Sequence, residues 1–147
     1  MPLTTLTPSP DGLAFIKCYQ GLSLEKYQDD DGLWLIGYGH LIRDHDMFDA
    51  PLTLAQVEDL FQQDVDYYHR VLCACVRMPL TQHQYDALLS LAFSLGPEGV
   101  QQSPIVSCIN RGEFSAALHT WKGEAELRSS LAVQRQAELA LFQTDIR

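Results

Sequence analysis

Apolar positions recur at two different spacings along this chain, and the change between them divides it. Leu13, Ile16 and the ring of Tyr19 fall on one helical face behind Ser9-Pro10, an N-cap followed by proline at the first helical position. The spacing predicts a short helix over 10–20 that ends at Gly21. From Leu24 to His40 the period shortens. Asp31-Gly32 is a hairpin-turn signal, Leu33-Trp34-Leu35-Ile36 is β-prone, and Gly37 and Gly39 suit a tight, exposed backbone. This stretch reads as a small antiparallel sheet with Asp29, Asp30 and Asp31 at its turn.

Helical spacing then returns. Thr53-x-x-Gln56 is a capping box that opens a long helix to about Val76, with Val57, Leu60, Phe61, Tyr68 and Leu72 as its apolar stripe. Met78-Pro79 stops it. A second box, Thr81-x-x-Gln84, opens a helix through Tyr85, Leu88, Leu89, Ala92 and Phe93 to Gly96. Ser103-Pro104 begins another that ends near Gly112, Phe114 to Trp121 gives one more, and 130–144 the last. Residues 1–8 read as a loose tail. No repeat, low-complexity tract or linker interrupts the rest, so 1–147 reads as a single domain. The order of elements predicts an α+β fold, mostly α, with a small antiparallel sheet lobe and a helical bundle lobe.

Composition is that of a globular protein with room for a core: 147 residues, 46% hydrophobic and 20% charged. Charge changes the picture more. A net −9 argues against nucleic acid and anionic membrane surfaces and favours a basic protein partner. It also sits awkwardly with the largely anionic bacterial cell wall. No apolar run approaches the ~20 residues of a membrane span, and MPLTTLTPSP lacks the layout of a Sec signal. Synthesis in the cytosol is expected. Passage to the periplasm or exterior by a holin, a phage particle or a secretion system would leave no mark in the sequence. Cys18, Cys73, Cys75 and Cys108 lack metal-ligand spacing and read as reduced core thiols; no metal or cofactor is expected.

The chemistry lies in the segment Y-Q-G-L-S-L-E-K-Y-Q-D-D-D-G-L-W-L-I-G-Y-G-H, from Tyr19 to His40. It closely resembles the active-site signature of the phage-type lysozymes, the endolysin family of glycoside hydrolases. Q-x-Q-Y-D-A-L-L-S-L-A-F (Gln82 to Phe93) resembles that family's central helix, and Arg135-x-x-Glu138 resembles part of its C-terminal R-R-x-x-E segment. The resemblance implies a lysozyme-like fold with a cleft between the lobes and hydrolysis of the β-1,4 bond of peptidoglycan. Such cleavage needs a proton donor on one side of the sugar and a second carboxylate on the other. The family places its glutamic and aspartic acids nine residues apart, and Gln20 and Asp29 have that separation. The resemblance thus makes Asp29 the family aspartate and Gln20 the replacement for the family acid.

Further departures fall on polar positions. Leu35 stands where the family has a threonine that positions the attacking water, Ser94 where it has asparagine, and Gln134 where it has the first of two arginines. A glutamine amide has no ionisable proton, and general acid catalysis supplies roughly 10²–10⁴-fold. These positions imply an inactive homologue that binds peptidoglycan glycan or a protein partner, in a phage-derived or secretion assembly. The alternative is an active muramidase with a variant site, in which Glu25 would be the relocated acid. Trp34, Tyr38 and Trp121 are candidates to stack on sugar, with core packing the plainer role for Trp121. Ser94 is a further candidate in the binding cleft. Asp30 and Asp31 read most simply as solvated turn formers; Asp29 could be a turn aspartate too, but the motif around it points to a cleft residue. His40 and Asp64 are expected to form a structural ion pair, and His45, His69, His83 and His119 to have no special role.

Overall fold

The computed structural model describes residues 6–29, 32–42, 48–127 and 132–144. Along the chain run α1 (Pro10–Gln20), β1 (Ser23–Gln28), β2 (Trp34–Gly37), β3 (His40–Leu41), α2 (Leu54–Cys75), α3 (Gln82–Gln102), α4 (Pro104–Asn110), α5 (Phe114–Leu127) and α6 (Ala132–Phe142). The fold is α+β and mostly α. Its described residues cluster into two compact units, Ala14–Tyr67 on one side and Met1–Leu13 with Tyr68–Arg147 on the other.

The first unit carries a three-stranded antiparallel sheet in the order β1-β2-β3. Tyr27 pairs with Leu35, and Leu35 pairs with Leu41, so three apolar side chains lie in one row across one face. Ile36 and His40 pair on the opposite face, with Ile36 fully buried. The register of β1 against β2 shifts between Ser23 and Tyr27. Asp31, expected in the hairpin turn, lies outside the described residues together with Asp30 and His45, while Gly32 has φ +83° as the turn requires. The capping box of α2 is complete: Gln56 N donates to Thr53 Oγ1 at 3.1 Å and Thr53 N to Gln56 Oε1 at 2.8 Å. Within this unit α2 buries Val57, Phe61 and Val65. Val65, absent from the expected stripe, is the i+4 neighbour of Phe61, whereas Leu60 is only half-buried at the stripe's edge.

In the helical unit α3 packs against α6 and α4, and α5 against α4 and α6. Trp121 and Phe142 meet at its centre with ring centroids 5.3 Å apart, and neither is exposed. Helix α3 does not stop at Gly96. The chain breaks there at φ +74°, and Pro97 starts a further helical stretch to Gln102. Helix α5 likewise runs on from Trp121 to Leu127.

The N-terminal segment is tied rather than loose where it is described. Ser9 caps α1 by accepting from Gly12 N at 2.9 Å and donates its hydroxyl to Asp86 at 2.5 Å; Gln82 Nε2 donates to the Thr7 carbonyl and to Asp86. Residues 1–5 of the expected tail lie outside the described residues. The Asp86 carboxyl group occupies the space a Cβ on Gly12 would take. Because Ser9 and Gln82 hold it there, Gly12→Ala is expected to lower stability by about 1–3 kcal/mol in a denaturant melt. Gly123→Ala, with open space around it, is expected to raise it by up to about 1 kcal/mol. Equal responses of the two variants would contradict this account of Gly12.

Candidate functional site

Gln20 is the last residue of α1. Gly21 follows at φ +73°, its N–H bonded to the Lys17 carbonyl at 3.0 Å, so the helix ends in the left-handed turn that glycine permits. The half-buried Gln20 side chain lies against the backbone of Gly39 in the tight turn between β2 and β3: a Cβ on Gly39 would overlap Gln20 Oε1. Gly39 is therefore required twice, by its φ of +72° and by the approach of the amide.

Asp29 closes the β1–β2 hairpin. Its N–H donates to the Leu33 carbonyl at 2.9 Å, and its Oδ1 accepts from Leu33 N at 2.9 Å. Burial and the Asp29 carboxylate both raise the pKa of Tyr27, two residues away. Leu35 sits half-buried between Tyr27 and Leu41, and its own side chain offers no hydrogen bond to a water. Trp34 is 44% exposed, and Lys26 Nζ lies 5.5 Å from its ring centroid. Tyr38 is more engaged: its ring meets the buried Phe61 edge-on at 5.4 Å and takes Lys17 Nζ at 5.2 Å. Glu25 is exposed on β1.

His40 Nδ1 lies 2.9 Å from both oxygens of Asp64, joining β3 to α2 with both side chains largely buried. This unit thus brings together Gln20 with Gly39, Tyr27 with Leu35, and His40 with Asp64. Among the described residues no group of three or more His, Cys, Asp or Glu could hold a metal ion. No described helix is long and apolar enough to cross a membrane.

In the helical unit, Ser94 is exposed and its hydroxyl accepts from Arg135 Nη2 at 2.5 Å. Arg135 belongs to a buried polar cluster that the pattern of apolar residues did not reveal. Arg135 Nη1 lies 2.7 Å from Glu138 Oε1, and Ser90, Gln134 and the Trp121 indole N–H donate to the same carboxylate. Glu138 is wholly buried, and burial pushes its pKa up to about 7, against the opposing pull of Arg135 and the three donors. Burial likewise lowers the pKa of Arg135. Trp121 is a core residue with its one polar atom satisfied. His69, expected to be without a special role, bonds Tyr85 through Nδ1 and lies 3.7 Å from Cys73 Sγ through Nε2. All four cysteines are unpaired. Cys108 is buried, but Cys18 is exposed on α1 because it faces away from Ile16 and the core.

Residues 17–138 match the protein family described as Phage lysozyme. The chain belongs to that family. An endolysin of Acyrthosiphon pisum secondary endosymbiont phage 1 is 34% identical over 145 residues, covering 92% of this chain and 97% of that protein. The endolysin of Salmonella phage P22 is 30% identical, covering 91% and 96%. Among solved structures, the muramidase domain of SpmX from Asticaccaulis excentricus superposes with a TM-score of 0.77 at 30% identity, covering 91% of this chain and 95% of that domain. The fold is thus the lysozyme-like one, and the phage-lysozyme match reaches from within α1 to Glu138 in α6.

Proposed function

We propose that this phage-lysozyme homologue is a pseudo-muramidase, catalytically inactive and retained for binding peptidoglycan glycan or a protein partner. The observation that carries the reading is an amide, Gln20, at the end of α1 together with a hydrocarbon side chain, Leu35, on the sheet. Gln20 takes the place of the family's proton donor, and its side chain cannot protonate a leaving oxygen at any useful pH. Leu35, between Tyr27 and Leu41, takes the place of the water-positioning threonine. Asp29 is retained, yet it bonds the hairpin backbone, a role that needs no sugar chemistry. Glu25 is no substitute for the missing acid, because it lies on an exposed strand beyond the helix end.

Binding can outlast cleavage because the two use different groups. Trp34 offers an exposed indole face, and Gln20 offers two amide donors and an acceptor. The His40–Asp64 pair serves the fold, joining the sheet to α2. The reading is tested by incubating the purified chain with purified peptidoglycan and resolving the soluble products. No muropeptide release above buffer is expected. Release at a rate typical of endolysins would overturn it in favour of a variant active site.

A further inference from the structure

A guanidinium group is all donors, and each N–H taken out of water needs an acceptor. Arg135 on α6 is 3% exposed, yet among the described residues its Nε and Nη1 have no hydrogen-bond acceptor. Nη1 touches Glu138 Oε1 at 2.7 Å as an ion pair, without the alignment of a hydrogen bond. Nη2 donates to the hydroxyl of Ser94, an exposed residue of α3. Nε and Nη2 share one edge of the guanidinium plane, the kind of edge that takes a planar oxyanion through two parallel bonds. Glu138 meets Nη1, which is not on that edge. The edge is therefore half used, by a surface serine. Two residues beyond Ser94, α3 breaks at Gly96, and a Cβ there would meet open space.

Charge narrows the ligand. Glu138 and, from α5, Glu124 already act on Arg135, so a dianion arriving at the edge would be opposed by both. A carboxylate has the matching planar pair of oxygens and a single charge. The groups that donate to Glu138 from around it, Ser90 of α3, Trp121 of α5 and Gln134 of α6, are neutral. Burial holds the Glu138 pKa up at about 7 against the pull of Arg135. Below that pH Glu138 is protonated and no longer offsets the arginine, so an incoming anion is favoured. Above it, the ionised Glu138 competes.

We propose that the Nε–Nη2 edge of Arg135, together with Ser94, is a binding site for a carboxylate group, tightened when Glu138 is protonated. The carboxylate displaces the Ser94 hydroxyl from Nη2, takes Nη2 and Nε together, and accepts from the displaced hydroxyl. The site stands apart from the pseudo-muramidase reading, which uses neither residue: a chain that cleaves wall and still binds carboxylate here sinks that reading alone.

The test is an NMR titration of the full-length chain with sodium acetate, at ionic strength held constant with sodium chloride, following arginine Nε–H signals and the Ser94 amide. The Arg135 signal is identified by its loss in Arg135→Lys, which keeps the charge and removes the edge. Acetate is expected to shift both signals saturably, with a Kd on the order of 10 mM. Binding should be at least about threefold tighter near pH 6 than near pH 8, a range over which acetate stays ionised. Arg135→Lys should weaken the response of the Ser94 amide at least about tenfold. Ser94→Asp places a carboxylate beside the edge within the chain, at an exposed position that does not depend on how Arg135→Lys folds. It is expected to abolish acetate binding and to raise the melting temperature. Signals unmoved at about 100 mM acetate, equal affinity at the two pH values, or sulfate binding more tightly than acetate would overturn the proposal. So would Arg135→Lys or Ser94→Asp binding acetate as the parent does.

Discussion

Gln20→Glu combined with Leu35→Thr is expected to raise wall hydrolysis by about 10²–10⁴-fold over the parent, the span that a positioned general acid supplies. Glutamate is nearly isosteric with glutamine, so it should fit against Gly39 as the amide does. Threonine is smaller than leucine and branched at Cβ, which suits a strand position between Tyr27 and Leu41. Each single variant is expected to stay within a few-fold of the parent, because an acid without a placed water and a placed water without an acid both lack half of the reaction. Turbidity loss on permeabilised cells, together with product analysis, reads the result. A fully active Gln20→Glu single variant would show that Leu35 is no obstacle. A double variant that folds but remains inert would mean that losses elsewhere in the chain also matter.

The second large effect concerns stability. Arg135→Met is expected to cost about 3–5 kcal/mol at pH 8, because it leaves the buried Glu138 carboxylate without its cation. The cost should shrink towards pH 5, where Glu138 takes up a proton and no longer needs a counter-charge. Adding Glu138→Gln to Arg135→Met should recover part of the loss at pH 8, since the amide leaves no buried charge while its oxygen still accepts from the donors around it. The parent chain carries a related signature. The Glu138 pKa is raised from 4.5 to about 7 on folding, so the folded state binds its proton more tightly than the unfolded state does. Stability from this group is therefore full below about pH 4.5, is lost as pH rises through about 7, and is flat above. Denaturant melts of the parent, single and double variants across this range give the comparison. A pH-independent cost of Arg135→Met would sink this account of Glu138.

Much of the fold was legible because local signals agree with the final contacts. Both capping boxes form as Thr53-x-x-Gln56 and Thr81-x-x-Gln84 predict, and α1 begins and ends where Ser9-Pro10 and Gly21 indicate. Gly96 was read as a stop and is instead a break, because Pro97 restarts a helix that a local reading treats as ended. The candidate site was legible by residue type but not by environment. Nothing near Gln20 in sequence says that its amide lies against Gly39, and nothing near Leu35 says that Leu41 flanks it. Glu138 shows the same limit. Gln134, Arg135 and Glu138 can be placed on one side of α6 by spacing, but Ser90 and Trp121, which complete the cluster, come from α3 and α5.

The row of Tyr27, Leu35 and Leu41 also bears on the history of such a chain. If the chain is a pseudo-muramidase, then with Leu35 set between Tyr27 and Leu41 a glutamate at position 20 alone confers no advantage that selection can see, and neither does a threonine at position 35 alone. Two changes would have to arrive together, on a surface free to drift towards another use. Loss of cleavage in this lineage would then act as a ratchet, easy to enter by single steps and closed to single steps in return.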